Sequence, residues 1–223
     1  MAFDMRIARK SKDIGINGWL TRWYDKNTRE KRIGEMQEYA KEVKRHLNDN
    51  TNVLEIAPGP GYFSIELAKM GNFNITGMDI SADFIEICKT NAKRENVNIT
   101  FLQGNVSAMQ FEDNTFDFVF CSAAFKNFKE PIAALNEMYR VLKSNGIALI
   151  IDMNHDISND MLIEEATKIS KSGFERWFIK TTFKRLCKGA YSKTELENMI
   201  KQISFNKNEI KEVGISLYIY LYK

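Results

Sequence analysis

Cysteine, histidine and proline are all scarce in this chain, and each shortage excludes something. Its 223 residues include three cysteines, Cys88, Cys121 and Cys187. An odd number excludes a complete disulfide framework, and no C-x-x-C pair or zinc spacing occurs. A reducing compartment, the cytoplasm, is the expectation. The two histidines are His46 and His155. Asp152, His155 and Asp156 have no second ligand cluster to complete them, so no metal is expected. Met1 to Asp13 is charged from its start and has no apolar core of a secretory signal. The apolar run Ile147 to Ile151 is far too short to span a bilayer, so no membrane partner is expected. A formal charge of +3 is too small to imply nucleic acid.

Proline is confined to Pro58, Pro60 and Pro131, and two of the three share one loop. Around that loop the hydrophobic pattern alternates between two periods. Ile33, Met36, Ala40, Val43 and Leu47 recur at three- and four-residue steps, as on an amphipathic helix. Strands are expected at Asn52–Ile56, Asn74–Asp79, Asn98–Gln103, Phe116–Cys121 and Ile147–Met153. Helices are expected at Tyr62–Met70, from the Ser81 cap to Glu95, and from Pro131 to Leu142. A helical stretch from Ser158 to Ala190 should break near Gly173. Ser192-Lys193-Thr194-Glu195 reads as a capping box. Glu209–Val213 and Ser216–Tyr222 then form an antiparallel hairpin at one sheet edge. Strands alternating with helices predict an α/β fold, a three-layer α/β/α doubly wound, mostly parallel sheet. Ligands of such sheets bind at the carboxyl ends of the strands.

The segment Val53-Leu54-Glu55-Ile56-Ala57-Pro58-Gly59-Pro60-Gly61-Tyr62-Phe63 carries the chemistry. A strand enters a Gly-rich turn, where backbone can approach a ligand, and leaves as a helix with unpaired N–H groups. A dinucleotide fingerprint wants a third glycine where Ser64 stands. Glu55 would also repel a pyrophosphate, whereas it suits a ligand bearing a cationic amine. An NAD-dependent dehydrogenase is disfavoured on both counts.

Glu55-x-Ala57-x-Gly59-x-Gly61 resembles motif I of the class I S-adenosylmethionine-dependent methyltransferases. The resemblance runs over residues 33–153. It includes Asp79 at the end of the second strand, Gly104-Asn105-Val106 after the third, Phe116 to Ser122 as the fourth, and Val141-Leu142-Lys143-Ser144-Asn145-Gly146 before the fifth. It implies S-adenosyl-L-methionine as cofactor, S-adenosyl-L-homocysteine as product, and a seven-stranded sheet. The branch most similar is the small-molecule group that includes quinone-biosynthesis enzymes. Asp79 would accept hydrogen bonds from the ribose hydroxyls, and Asn105 would meet the adenine amine through its carbonyl oxygen. Glu55, Ala57, Gly59, Gly61, Phe63, Ile80, Val106 and Ser122 complete the expected cofactor set. Ala57 replaces the family's first glycine, a small change if its φ is negative. Ser122-Ala123-Ala124-Phe125-Lys126-Asn127-Phe128 lacks the frequent paired histidines, so the acceptor is left open.

On the acceptor side, Tyr24, Phe125 and Lys126 are the candidates, with His155 as a general base because its imidazole titrates near neutrality. A plain polar loop residue is the competing reading of His155, and a solvated one that of His46. Residues 168–193 carry eight Lys and Arg against Glu175, interleaved with Phe174, Trp177, Phe178, Phe183 and Tyr191. They are read as a cap helix with Phe174, Trp177 and Phe178 on its buried side. A nucleic-acid methyltransferase using that segment is an alternative, as is a non-catalytic cofactor-binding protein. The expected organisation is one domain over 1–223. It divides into a helical cap (1–50), a cofactor core (51–153), a helical lid (154–191) and a terminal helix with hairpin (192–223). A monomer or homodimer acting on a small-molecule acceptor is expected.

Overall fold

Alternation within single strands sorts the core into two layers. In the strand Asn52–Ile56 (β1), Val53 faces one side of the sheet and Leu54 and Ile56 the other. In Phe116–Ser122 (β4), Phe118 and Phe120 join the first layer, and Val119 and Cys121 the second. Successive side chains of a strand point to opposite faces, so a sheet apolar on both must be covered on both. The computed structural model describes residues 17–223, and within them both faces of the central strands β1 and β4 are covered. The expected cap residues 1–16, Met1 to Asp13 included, lie outside the described residues.

The chain begins with two helices, Trp19–Lys31 (α1) and Ile33–Lys44 (α2), and then enters β1. Tyr62–Ala68 (α3), Asn74–Asp79 (β2), Ala82–Arg94 (α4) and Thr100–Gln103 (β3) follow. After β4 come a short 3-10 turn at Phe125–Asn127, Pro131–Val141 (α5) and Leu142–Met153 (β5). Asn159–Ile169 (α6), Gly173–Cys187 (α7) and Lys193–Ile200 (α8) lead to Lys207–Val213 (β6) and Ser216–Tyr222 (β7). The seven strands form one sheet in the order β3-β2-β1-β4-β5-β7-β6. The first five run parallel, and β7 pairs antiparallel with both β5 and β6. Helices α2, α3 and α4 cover one face, and α5 and α8 the other. The order reverses beside β1, so the carboxyl ends of β1 and β4 diverge there and leave a crevice.

Local chemistry explains the ends of the elements. Ser81 accepts from the Phe84 N–H and starts α4. Ser192 and Glu195 form the reciprocal capping box of α8. Strand β5 differs from its expected start. Leu142 already pairs with Phe116, and pairing resumes at Ile147 opposite Phe118. The five-residue step is an enlarged bulge, eased by Asn145 at φ 66°. The Asn-Gly signal that suggests a turn is absorbed inside a strand.

Helix α7 corrects a further expectation. Phe174, Trp177 and Phe178 are 76%, 61% and 62% exposed, so they are not its buried side. His46 is not simply solvated either: its ring stacks on Phe118 with centroids 5.9 Å apart.

Candidate active site

Two hollows open at the carboxyl edge of the sheet and meet at Ala57. Tyr24, Thr28, Arg32, Glu55, Gly59 and Ser122 contribute to the first. Ile56, Met78, Ile80, Asn105, Val106 and Phe128 contribute to the second, and Ala57 lies in both walls.

The loop between β1 and α3 is held from several directions. Gly61 caps α3 at φ 81°, a conformation that costs most residues but not glycine. A Cβ there would lie 3.0 Å from Cys88 Sγ and 3.2 Å from the Phe101 ring. Cys88 donates its S–H to the Gly59 carbonyl at 2.9 Å, and Asn91 donates to the Pro60 carbonyl at 3.0 Å. Ala57 departs from the negative φ expected of it: it stands at 55°. Its N–H donates to the Met78 carbonyl at 2.8 Å, fixing this left-handed residue to the end of β2. Ala123, at the end of β4, has the same φ of 55°, and its N–H donates to Ile151 at 2.8 Å. Such strain in two non-glycine residues persists only where the surroundings over-determine it.

The acids of the site are buried. Glu55 is 3% exposed and accepts from Ser64 Oγ of α3. Burial pushes its pKa up to about 8, against the lowering effect of the Ser64 hydrogen bonds. Ser64 thus holds the very carboxylate that, with Ser64 itself, argues against a dinucleotide. Asp79 accepts from Gly59 N–H at 3.2 Å and from Ser81 N–H at 2.9 Å, one on each oxygen. Burial raises its pKa, and the backbone hydrogen bonds work the other way. Each oxygen keeps further acceptor capacity, which suits a pair of ribose hydroxyls.

Helix α1 roofs the first hollow. Tyr24 sits over the loop, 3.6 Å from where a Gly59 Cβ would stand, and edge-on to Phe84. Its hydroxyl accepts from Arg32 at 2.9 Å. Burial is the largest single influence on Arg32 and opposes its charge, but the Glu35 hydrogen bond together with the nearby Tyr24, Glu35 and Tyr39 outweighs it and holds the guanidinium pKa above its ordinary value. Thr28 faces the same hollow, is 2% exposed, and its Oγ1 has no hydrogen-bond partner among the described residues. A buried, unsatisfied hydroxyl costs about 1–3 kcal/mol, so a polar ligand atom there would recover that loss. Sequence reasoning missed Thr28 and Arg32. A signal existed: Tyr24, Thr28 and Arg32 repeat every four residues, a polar stripe where a packed helix would be apolar.

The other expected site residues divide. Ile80, Val106 and the missed Phe128 give the second hollow an apolar wall suited to a flat base. Asn105 lies at that hollow, but its Oδ1 accepts from the Ser107 N–H at 2.9 Å and shapes the loop. Phe63 belongs to neither hollow; it stacks on Phe120 at 3.9 Å in the core. Phe125 is 1% exposed and packs against Phe128 and Tyr191. Lys126 is not a free ammonium: it pairs with Asp152 at 2.7 Å and donates to the Ala123 carbonyl at 2.7 Å. That clamp holds the left-handed turn at Ala123. His155 lines neither hollow, and its Nδ1 lies 3.3 Å from the Cys187 carbonyl. Among the described residues no three His, Cys, Asp or Glu gather as a metal site.

This geometry agrees with what the chain is similar to. Residues 54–150 match a methyltransferase domain. The chain is 35% identical over 101 residues to the ubiquinone/menaquinone biosynthesis C-methyltransferase UbiE of Bdellovibrio bacteriovorus, covering 45% of this chain and 43% of that one. It is 32% identical over 144 residues to the demethylmenaquinone methyltransferase of Lactococcus lactis, covering 62% and 53%. It therefore spans about half the length of these curated relatives. A putative S-adenosyl-L-methionine-dependent methyltransferase from Methanococcus maripaludis superposes with a TM-score of 0.73 at 24% identity, covering 96% of this chain and 94% of that one. That likeness establishes the fold. The strand order is that of this solved methyltransferase, and residues 54–150 carry the similarity to a methyltransferase domain.

Proposed function

We propose that the chain transfers a methyl group from S-adenosylmethionine to a small-molecule acceptor by direct displacement. The observation that carries this reading is the pair of hollows joined at Ala57, polar in one and apolar in the other. The polar hollow has a buried carboxylate, Glu55, to meet a cationic amine. It also has Thr28 Oγ1, which lacks a partner among the described residues, and Arg32, both suited to a carboxylate. Ile80, Val106 and Phe128 of the second hollow fit the adenine, and Asp79, which lines neither hollow but is buried next to Ile80 and bound to Gly59 N–H, is assigned the ribose. When bound, the cofactor supplies a methyl group on a cationic sulfur that is already a good leaving group. The protein's own part is to align and to exclude water. Tyr24, on α1, closes the hollow from above. The Lys126–Asp152 pair fixes Ala123 beside it.

The acceptor class we propose is a quinone-type ring, methylated on carbon. Its support is the similarity to relatives named for menaquinone and ubiquinone synthesis. We assign the reaction to the cytoplasm. A positioning role at the foot of α7 is proposed for His155, because its ring nitrogen lies against the Cys187 carbonyl. Incubation with methyl-labelled S-adenosylmethionine and demethylmenaquinone tests the proposal. Label in the quinone supports it. Cofactor binding without transfer to any quinone would reject the acceptor class.

A further inference from the structure

Helix α7 has two apolar faces and only one of them is used. Ile179, Phe183 and Cys187, at steps of four, turn toward the protein, and Cys187 is buried. Phe174, Trp177, Phe178, Thr181 and Arg185 recur at three- and four-residue steps on the opposite side, all exposed. The Phe174 and Trp177 rings lie stacked, 6.2 Å apart. Ile169, at the end of α6, is 60% exposed and adds to this surface. Lys171 and Lys184 are exposed around it, Arg185 closes it at its C-terminal end, and the single acid of α7, Glu175, accepts from Ser170 Oγ. Solvent offers nothing to three neighbouring rings, so the stripe calls for a covering partner.

We propose that α7 docks this protein on the surface of an anionic lipid bilayer. Rings on the crest of one helix with cations on its flanks match an interfacial helix, whose apolar side sinks to the headgroup boundary. The cations find their complement in anionic headgroups. A nucleic acid would use the same cations and would stack bases on the rings, but it would leave the aliphatic Ile169 without an apolar environment. Position supports the lipid. The excursion leaves the carboxyl end of β5 and returns at Tyr191 beside Phe125, at the edge where the hollows open. The roof helix α1 exposes Trp19 and Trp23 at the same edge. No described helix is long and apolar enough to cross a membrane, so the association is peripheral. It departs from the expectation of no membrane partner and does not depend on methyl transfer.

Co-sedimentation of the full chain with phosphatidylcholine vesicles, with and without phosphatidylglycerol, tests this. Binding should be about tenfold or more stronger with the anionic lipid. F174S/W177S/F178S and, separately, K184E/R185E should lose about tenfold or more, with melting temperature and S-adenosylhomocysteine binding retained. In a W19F/W23F background Trp177 is the sole tryptophan, and brominated lipid should quench it; this readout leaves α7 intact. Absence of vesicle binding, unchanged binding by both variants, or an unquenched Trp177 would overturn the proposal. RNA binding without vesicle binding, or a dimer dissolved by the triple variant, would also overturn it.

Discussion

The loop after β1 and the excursion after β5 stand at the same sheet edge and are built on opposite terms. In the loop, Gly59, Pro60, Gly61 and Ala57 are each fixed by a named hydrogen bond or a neighbouring side chain. Its carboxylates are buried and braced by Ser64, Gly59 and Ser81. In the excursion, by contrast, α7 buries little and turns three rings to solvent. The difference teaches what each region must do. A charged cofactor with a fixed outline needs a backbone set before it arrives. A surface that meets an apolar partner needs exposed area, and its order comes from the partner.

If the loop rests on the core as described, the largest effect falls on Phe63. Phe63→Ala removes the stack on Phe120 and should cost about 3–5 kcal/mol in denaturant unfolding. Loss of cofactor affinity without loss of stability would return Phe63 to the site. Gly61→Ala forces a Cβ toward Cys88 Sγ at positive φ and should cost about 1–3 kcal/mol, readable as a lower Tm.

Thr28→Val separates the two meanings of an unpartnered hydroxyl. It should stabilise the free protein by about 1 kcal/mol and weaken S-adenosylhomocysteine about fivefold or more by calorimetry. If both quantities fall together, Thr28 has a structural partner instead. The smallest effect is expected in the excursion: His155→Ala should leave kcat within about twofold and lower stability by less than about 1 kcal/mol. A large fall in kcat with an altered pH profile would make His155 the general base.

Legibility in the sequence follows the same division. Strands β1 and β2 begin and end where expected, at Asn52–Ile56 and Asn74–Asp79, because turn residues bound them on both sides. The capping serines Ser81 and Ser192 announce their helices by local chemistry alone. The burial of Glu55 and Asp79 near the carboxyl ends of β1 and β2 was legible in the sequence, because each acid sits within or at the end of an apolar strand. Ala57's left-handed backbone was not, since its cause is the Met78 carbonyl on another strand. Lys126 and Phe125 read as acceptor-side groups, yet Asp152 and Tyr191, distant in sequence, take them up. The two apolar faces of α7 defeat periodicity, which marks a stripe without saying which one is covered.

Glu55 offers the most direct test of the central claim, that this edge was built for a cofactor bearing a cationic amine. Its pKa of about 8 lies above that of an unfolded glutamate. The native state therefore holds the proton more tightly, and this stabilising contribution is lost as pH rises from the unfolded value through 8. Glu55→Gln should remove that fall in Tm. Titration of S-adenosylhomocysteine and NADH into wild type and Glu55→Gln by calorimetry at pH 8 is the decisive measurement. The account predicts that wild type binds only the first and that the variant binds it about a hundredfold or more weakly. Equal affinity in the variant, or binding of NADH alone, would contradict it.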